Sequence, residues 1–265
     1  MEKYNVKFKK KFGQNFLKDK NIVEKIVNIN NITKEDLVIE VGPGGAILTK
    51  ELAKVAKKVI AYEIDKDLKE ELDNKLKDYN NIEIIYKDFL ESNIKEDIKE
   101  EYSNIYFVSN VPYYITTPII MKLMNSGIRF NKICMMVQKE VADRLSSEPS
   151  SKKYGSITVL LNYYYDINNE LFVSRNEFIP KPKVDSEVIT LIEKEDKLYL
   201  KDYNFFTKLV RDSFQFKRKT IKNNLKNYNL DKVLEILSKY NYDLSVRAEK
   251  LSIDIFVDIA NNLVD

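Results

Sequence analysis

Short apolar runs alternate with amphipathic stretches over the first two thirds of the chain. The runs Leu37–Val41, Val59–Tyr62, Ile82–Tyr86, Ile105–Ser109 and Ile133–Val137 have the length and β-branched content of buried strands. Between them, Leu48–Ala56 and Leu68–Leu76 carry apolar residues three and four apart, the spacing of one helix face. Ahead of the first strand, Asp19 stands where an N-cap would open a helix over Lys20–Ile29. Alternation of this kind predicts βαβ units and a mostly parallel, doubly wound α/β sheet.

The texture changes near residue 150. Ile157–Tyr165 and Glu187–Ile192 read as strands, separated by the proline-bearing FIPKPKVDS segment, and are expected to close the same sheet in antiparallel fashion. From residue 201 the spacing is helical, over Phe205–Phe216, Thr220–Leu225, Leu230–Tyr240 and Ile253–Leu263. The expected organisation is an α/β domain over 1–198 and a small all-helical domain over 199–265.

Composition narrows the chemistry. The 265 residues include one cysteine, Cys134, and no histidine. An internal disulfide framework is excluded, and so are Ser-His-Asp triads, Cys-His dyads, His-based zinc sites and imidazole bases. Catalysis must rest on carboxylates, amides, hydroxyls, aromatics, lysine or a cofactor, and no metal site is expected. No apolar run approaches the roughly 18 residues of a membrane span. Neither an apolar h-region nor a cleavage site follows the basic N-terminus. The expectation is a soluble cytoplasmic protein with no membrane contact.

Charge is unevenly placed. Residues 1–20 carry a balance of +5 and residues 207–226 a balance of +6, within a net charge of +3, so the remaining chain carries −8. Each run alone reads more commonly as a solvated face. Together they suggest a polyanion surface built from both ends of the chain.

Four strand ends carry the candidate chemistry. The first runs into Glu40-Val41-Gly42-Pro43-Gly44-Gly45, whose glycines permit a sharp turn and close ligand approach. Position 47 is isoleucine, so the dinucleotide pattern G-x-G-x-x-G fails. The Glu-x-Gly-x-Gly loop instead resembles the cofactor loop of class I S-adenosylmethionine (SAM) methyltransferases. Glu63 closes the second strand, placed to take both ribose hydroxyl protons. Asp88 follows the third, placed to accept from the cofactor's adenine amine.

The fourth strand enters Asn110-Val111-Pro112-Tyr113, which resembles the amino-group motif of enzymes that methylate exocyclic nitrogens of nucleobases. Such a nitrogen is a poor nucleophile because its lone pair is delocalised into the ring. Acceptors gripping its N–H bonds, the Asn110 oxygen and the Val111 carbonyl, favour a pyramidal nitrogen whose lone pair points at the methyl donor. Tyr113 stacks on the base, at roughly 1–3 kcal/mol per stack. No histidine is needed, because the methylated nitrogen is acidic enough for water to take its proton. Phe178 is expected to close the other face of a flipped-out base, with Lys181 and Lys183 touching phosphates.

Taken in order, KFGQNFL (11–17), EVGPGG, NVPYYITTP (110–118), VQKEVADRL (137–145), YGSIT (154–158), FIPKPKVDS, FKRKTIKNNL (216–225) and RAEKLS (247–252) span the chain. They resemble the small-subunit (16S) ribosomal RNA adenine N6,N6-dimethyltransferases of the KsgA type. The resemblance implies a Rossmann-like class I SAM-dependent methyltransferase domain with a C-terminal helical RNA-binding domain. Its implied reaction dimethylates two adjacent adenosines near the 3′ end of small-subunit rRNA during ribosome biogenesis. The implied partner is the immature small ribosomal subunit, and a monomer is the default state. Implied cofactor contacts are Asn15, Leu17, Gly42, Gly44, Glu63, Asp88 and Asn110. Lys10, Lys11, Lys181, Lys183 and the Lys217, Arg218, Lys219 and Lys222 helix would hold RNA. Tyr114 stands where asparagine is usual and Thr116 where serine is common. Two alternatives share much of this framework: large-subunit (23S) rRNA adenine methyltransferases conferring macrolide resistance, and a catalytically silent assembly factor. VQKEVADRL, YGSIT and FKRKTIKNNL favour the assembly enzyme over the first. Intact Gly42, Glu63, Asp88, Asn110 and Tyr113 oppose the second.

Overall fold

The computed structural model describes residues 15–264. It begins with β1 (Phe16–Leu17), α1 (Lys20–Asn30), β2 (Leu37–Val41), α2 (Ile47–Val55), β3 (Lys58–Tyr62), α3 (Lys69–Leu76) and β4 (Ile82–Ile85). Next come α4 (Ile94–Asp97), β5 (Ile105–Asn110), α5 (Thr116–Asn125), β6 (Lys132–Gln138) and α6 (Lys139–Leu145). The chain continues through α7 (Ser156–Tyr164), β7 (Tyr165–Val173), β8 (Phe178–Ile179) and β9 (Ser186–Glu193). It ends with α8 (Tyr203–Ser213), α9 (Ile221–Asn224), α10 (Leu230–Lys239) and α11 (Ile253–Leu263). Asp19 caps α1 as expected, accepting from the Asn21 amide at 2.8 Å.

Seven strands form one sheet in the order β4-β3-β2-β5-β6-β9-β7. The first five are mutually parallel and β9 runs antiparallel to β6. All five residues of β2 are buried, which is why it reads as an unbroken run rather than an alternation. Chain order reverses around β2, flanked by β3 on one side and β5 on the other. The crevice beyond the carboxyl ends of β2 and β5 is therefore the topological switch point, where open α/β sheets bind ligands. A separate two-stranded ribbon pairs β1 with β8, Leu17 opposite Phe178.

Three expectations fail. Of the expected strand Ile157–Tyr165, only Tyr165 lies in one; the rest belongs to α7, a continuous apolar run of the kind that periodicity alone cannot assign. The Gly155 amide donates to Thr158 Oγ1 and that hydroxyl donates to the Arg144 carbonyl, which sets the first helical turn. The strand at that point is β7, whose Asp166, Asn168, Asn169 and Glu170 give it the polar character of a sheet edge.

The chain divides into two compact units, one up to Ala142 with Asn168–Ile192, the other Asp143–Ile167 with the chain from Glu193 on. The boundary expected at 198/199 is thus too simple. Residues of the α7 segment, Tyr154, Val159, Leu160 and Tyr163, share one buried cluster with Phe206, Leu209, Val233, Leu237 and Phe256 of the C-terminal helices. Misreading α7 as a strand is what hid this.

In that second unit Lys217, Arg218 and Lys219 lie in turns between α8 and α9, not in a helix. Buried Asn224 pins these turns: its amide donates to the Ser213 carbonyl at 2.6 Å and accepts from the Phe216 amide at 3.2 Å. Among the described residues no helix is long and apolar enough to cross a membrane. No group of three or more acidic or cysteine side chains there is placed to hold a metal.

Candidate active site

The cleft at the switch point lies within the first unit and encloses about 1130 Å³ of space free of protein atoms, partly open to solvent. It is lined by Asn15, Leu17, Gly42, Gly44, Glu63, Asp88, Asn110, Val111, Pro112 and Tyr113. Every expected cofactor contact, and four of the five expected catalytic residues, come together here.

The loop after β2 turns because Gly42 and Gly44 adopt φ of +73° and +49°, values that side chains disfavour. At Gly44 space is also lacking: a Cβ there would fall 2.5 Å from Cε1 of Phe16. Glu63, at the end of β3, ties this loop to its own turn. One oxygen accepts from the Asp65 amide at 2.8 Å and the other faces the Gly44 amide at 3.4 Å. Burial raises the Glu63 pKa, and the Asp65 and Gly44 amides oppose that rise. Asp88 caps the turn after β4 with one oxygen, accepting from the Leu90 amide at 2.8 Å, and the residue lines the cleft.

Asn110 ends β5. Its amide nitrogen donates to the Asn15 carbonyl at 3.1 Å, so Oδ1 is the end left to accept. In the following turn the Pro112 carbonyl takes the Ile115 amide at 3.1 Å; among the described residues no donor takes the Val111 carbonyl. The Tyr113 phenol lies 2.5 Å from Ser186 Oγ. Thr116, at the start of α5, donates to the Tyr113 carbonyl at 3.2 Å, as a serine would.

Phe178 does not fit its expected role. Its ring is 2% exposed, joins the buried cluster of Leu17, Val173 and Val188, and does not line the cleft. Pairing of β8 with β1 places it inside, whereas its proline-flanked segment reads as an exposed loop. Lys181, Lys183, Lys217, Arg218, Lys219 and Lys222 are all exposed. Lys10 and Lys11 lie outside the described residues.

Three residues carry no role in the sequence reading. Tyr114 lines the cleft at 55% exposure, its phenol pKa raised by partial burial and by the Asp88 and Glu63 charges. Ser186 meets Tyr113 as described. Glu40 is 2% exposed and its Oε2 has no partner among the described residues. A carboxylate inside the apolar run LVIEV was a signal that could have marked it. Burial pushes its pKa up to about 8, against the Thr49 hydroxyl and with help from the Glu63 charge.

The folded chain therefore holds a proton on Glu40 that the unfolded chain releases near its ordinary 4.5. Between pH 4.5 and 8 the unfolded state binds fewer protons, so this group makes stability fall as pH rises. Glu40→Gln is expected to flatten that fall. Thermal unfolding of both proteins from pH 5 to 9 checks this; parallel curves would contradict it. The single thiol, Cys134, is buried and its pKa is raised to about 12, so it stays neutral and inert.

These features suit a nucleoside-bearing cofactor: a left-handed glycine turn at Gly42 and Gly44 and carboxylates at two successive strand ends, Glu63 and Asp88. A doubly wound sheet that opens its cleft here and adds an Asn-X-Pro-Tyr corner makes the chain a class I SAM-dependent methyltransferase. The family described as "Ribosomal RNA adenine dimethylase" matches residues 5–265. A relative from Clostridium botulinum (strain Okra / Type B1), "Ribosomal RNA small subunit methyltransferase A", is 44% identical over 268 residues, covering 100% of this chain and 97% of its own. Among solved structures, a dimethyladenosine transferase from Plasmodium falciparum aligns with TM-score 0.78 at 27% identity, over 92% of this chain and 95% of its own. The 23S rRNA methyltransferase ErmE aligns with TM-score 0.72 at 25% identity, over 95% and 100%. The chain belongs to the ribosomal RNA adenine dimethylase family.

Proposed function

We propose that this enzyme dimethylates N6 of two adjacent adenosines near the 3′ end of small-subunit (16S) rRNA, acting as a cytoplasmic monomer on the immature small subunit. The observation that carries the reading is the Asn110 amide, whose nitrogen is committed to the Asn15 carbonyl. Its oxygen and the Val111 carbonyl then form a pair of acceptors for an exocyclic amine. When bound, SAM supplies an electrophilic methyl carbon. Glu63 and Asp88 would hold the ribose and adenine of that cofactor, Gly42 and Gly44 would let it approach the backbone, and Asn15 and Leu17 line the same cleft.

Gripping both N–H bonds draws the lone pair out of conjugation and orients it. Tyr113 offers a ring face for the target adenine, and partial burial raises its phenol pKa, which keeps it neutral. The proton leaves to water, consistent with the lack of histidine.

Incubation with labelled SAM and under-methylated small or large subunits, followed by mass mapping of the modified base, tests the reading. Dimethyladenosine in the small subunit supports it. Label in the large subunit would transfer the chain to the resistance class, and no label to a silent binder.

RNA contacts are assigned to the basic turns of the second unit and, separately, to the exposed Lys181 and Lys183 of the first. Reversing Lys217, Arg218 and Lys219 is expected to weaken subunit binding and lower the slope of log K against log salt by about 2–3. Binding titrations from low to moderate salt measure it, and an unchanged slope would move the surface elsewhere.

A further inference from the structure

Tyr113 is held at both ends. Its backbone belongs to the Pro112 corner, and its phenol oxygen meets the hydroxyl of Ser186, 73 residues further along the chain. Ser186 is fully buried and opens β9. Because β9 runs antiparallel to β6, with Ser186 opposite Gln138, its first residue falls at the edge where the parallel strands end. That is the edge at which β5 delivers Asn110.

Both neighbours of Ser186 are clamped. The Asp185 carbonyl accepts from the Lys139 amide at 3.0 Å, and its carboxylate accepts from the Arg175 amide at 3.0 Å. Glu187 pairs with Lys139 Nζ at 3.2 Å. The hydroxyl is thus a fixed post, not a side chain that happens to be near.

We propose that Ser186 is a positioning residue for Tyr113, its hydroxyl fixing the plane of the phenol ring so that one face is ready for the target adenine. This rests on the reading of Tyr113 as the stacking side chain. A ring anchored only through its backbone samples other rotamers, and stacking must then select one of them. The serine of FIPKPKVDS acquires a role through this contact that the basic and aromatic residues of the same segment do not explain.

The test is single-turnover methyl transfer to under-methylated small subunits, with calorimetric binding of S-adenosylhomocysteine alongside. Ser186→Ala and Tyr113→Phe are each expected to slow transfer by about five- to tenfold, the scale of one net hydrogen bond. Cofactor-product affinity should stay within about twofold. The double variant should be no slower than the slower single variant, because both remove the same bond. Tyr113→Ala should be slower than all three.

Wild-type rates in both single variants, or effects that multiply in the double while Tyr113→Ala stays slow, would overturn the role of Ser186. A near-normal Tyr113→Ala would instead overturn the stacking reading itself. Should Ser186→Ala fail to fold, Tyr113→Phe still reads the bond with Ser186 in place.

Discussion

Replacing Asn110 by alanine is expected to slow methyl transfer by about 10²–10³, the scale seen when one preorganised polar group is removed from a reacting centre. Binding of S-adenosylhomocysteine should change far less. The asymmetry follows from geometry. Asn110 touches the Asn15 segment through its nitrogen, so its loss loosens one cover of the cofactor cleft. The Gly42–Gly45 loop, Glu63 and Asp88 remain. Its oxygen is one of only two acceptors for the substrate amine, and one acceptor cannot hold the nitrogen pyramidal. Asn110→Asp keeps an acceptor and gives up the donor to Asn15, so it should fall between wild type and alanine. Single-turnover rates and calorimetry on the three proteins separate the two effects. Near-wild-type transfer in Asn110→Ala would remove the catalytic assignment.

Gly44→Ala is expected to act on the other half of the site. The residue sits at φ +49°, which costs a side-chain-bearing residue about 1 kcal/mol. The added Cβ would also meet the Phe16 ring at 2.5 Å, and overpacking of this kind costs about 1–3 kcal/mol. Phe16 cannot retreat freely, since β1 is paired with β8 and its ring is buried. Both penalties fall on the loop that the cofactor must approach. Product affinity should drop by about two orders of magnitude. Gly42→Ala is the informative comparison: its Cβ would lie 3.8 Å from Pro112, an ordinary contact. It therefore carries strain without overlap, and its loss of thermal stability should be the smaller. Equal stability losses in the two variants would show that Phe16 yields.

What the sequence disclosed followed physical lines. The five parallel strands were legible because strands buried on both faces are continuous apolar runs. The site residues at their carboxyl ends were legible because short motifs directly follow those runs. α7 was misread because SITVLLNYY is apolar without a visible period. β7 was missed because an edge strand wears the polar residues of a loop.

Long-range pairing explains the remaining failures. Phe178 was assigned to the cleft because nothing local reports that β8 pairs with β1. Ser186 had no visible role because its partner is 73 residues away. Glu40 was read only as part of the loop motif, and its isolation became apparent once β2 was seen to be wholly buried.

The most direct measurement of the central claim is a crystal structure with S-adenosylhomocysteine and a short adenosine-bearing RNA. Adenine N6 is expected within about 2.7–3.2 Å of both Asn110 Oδ1 and the Val111 carbonyl, with the ring against Tyr113. An adenine bound elsewhere in the cleft, or an Asn110 oxygen directed away from it, would contradict the account.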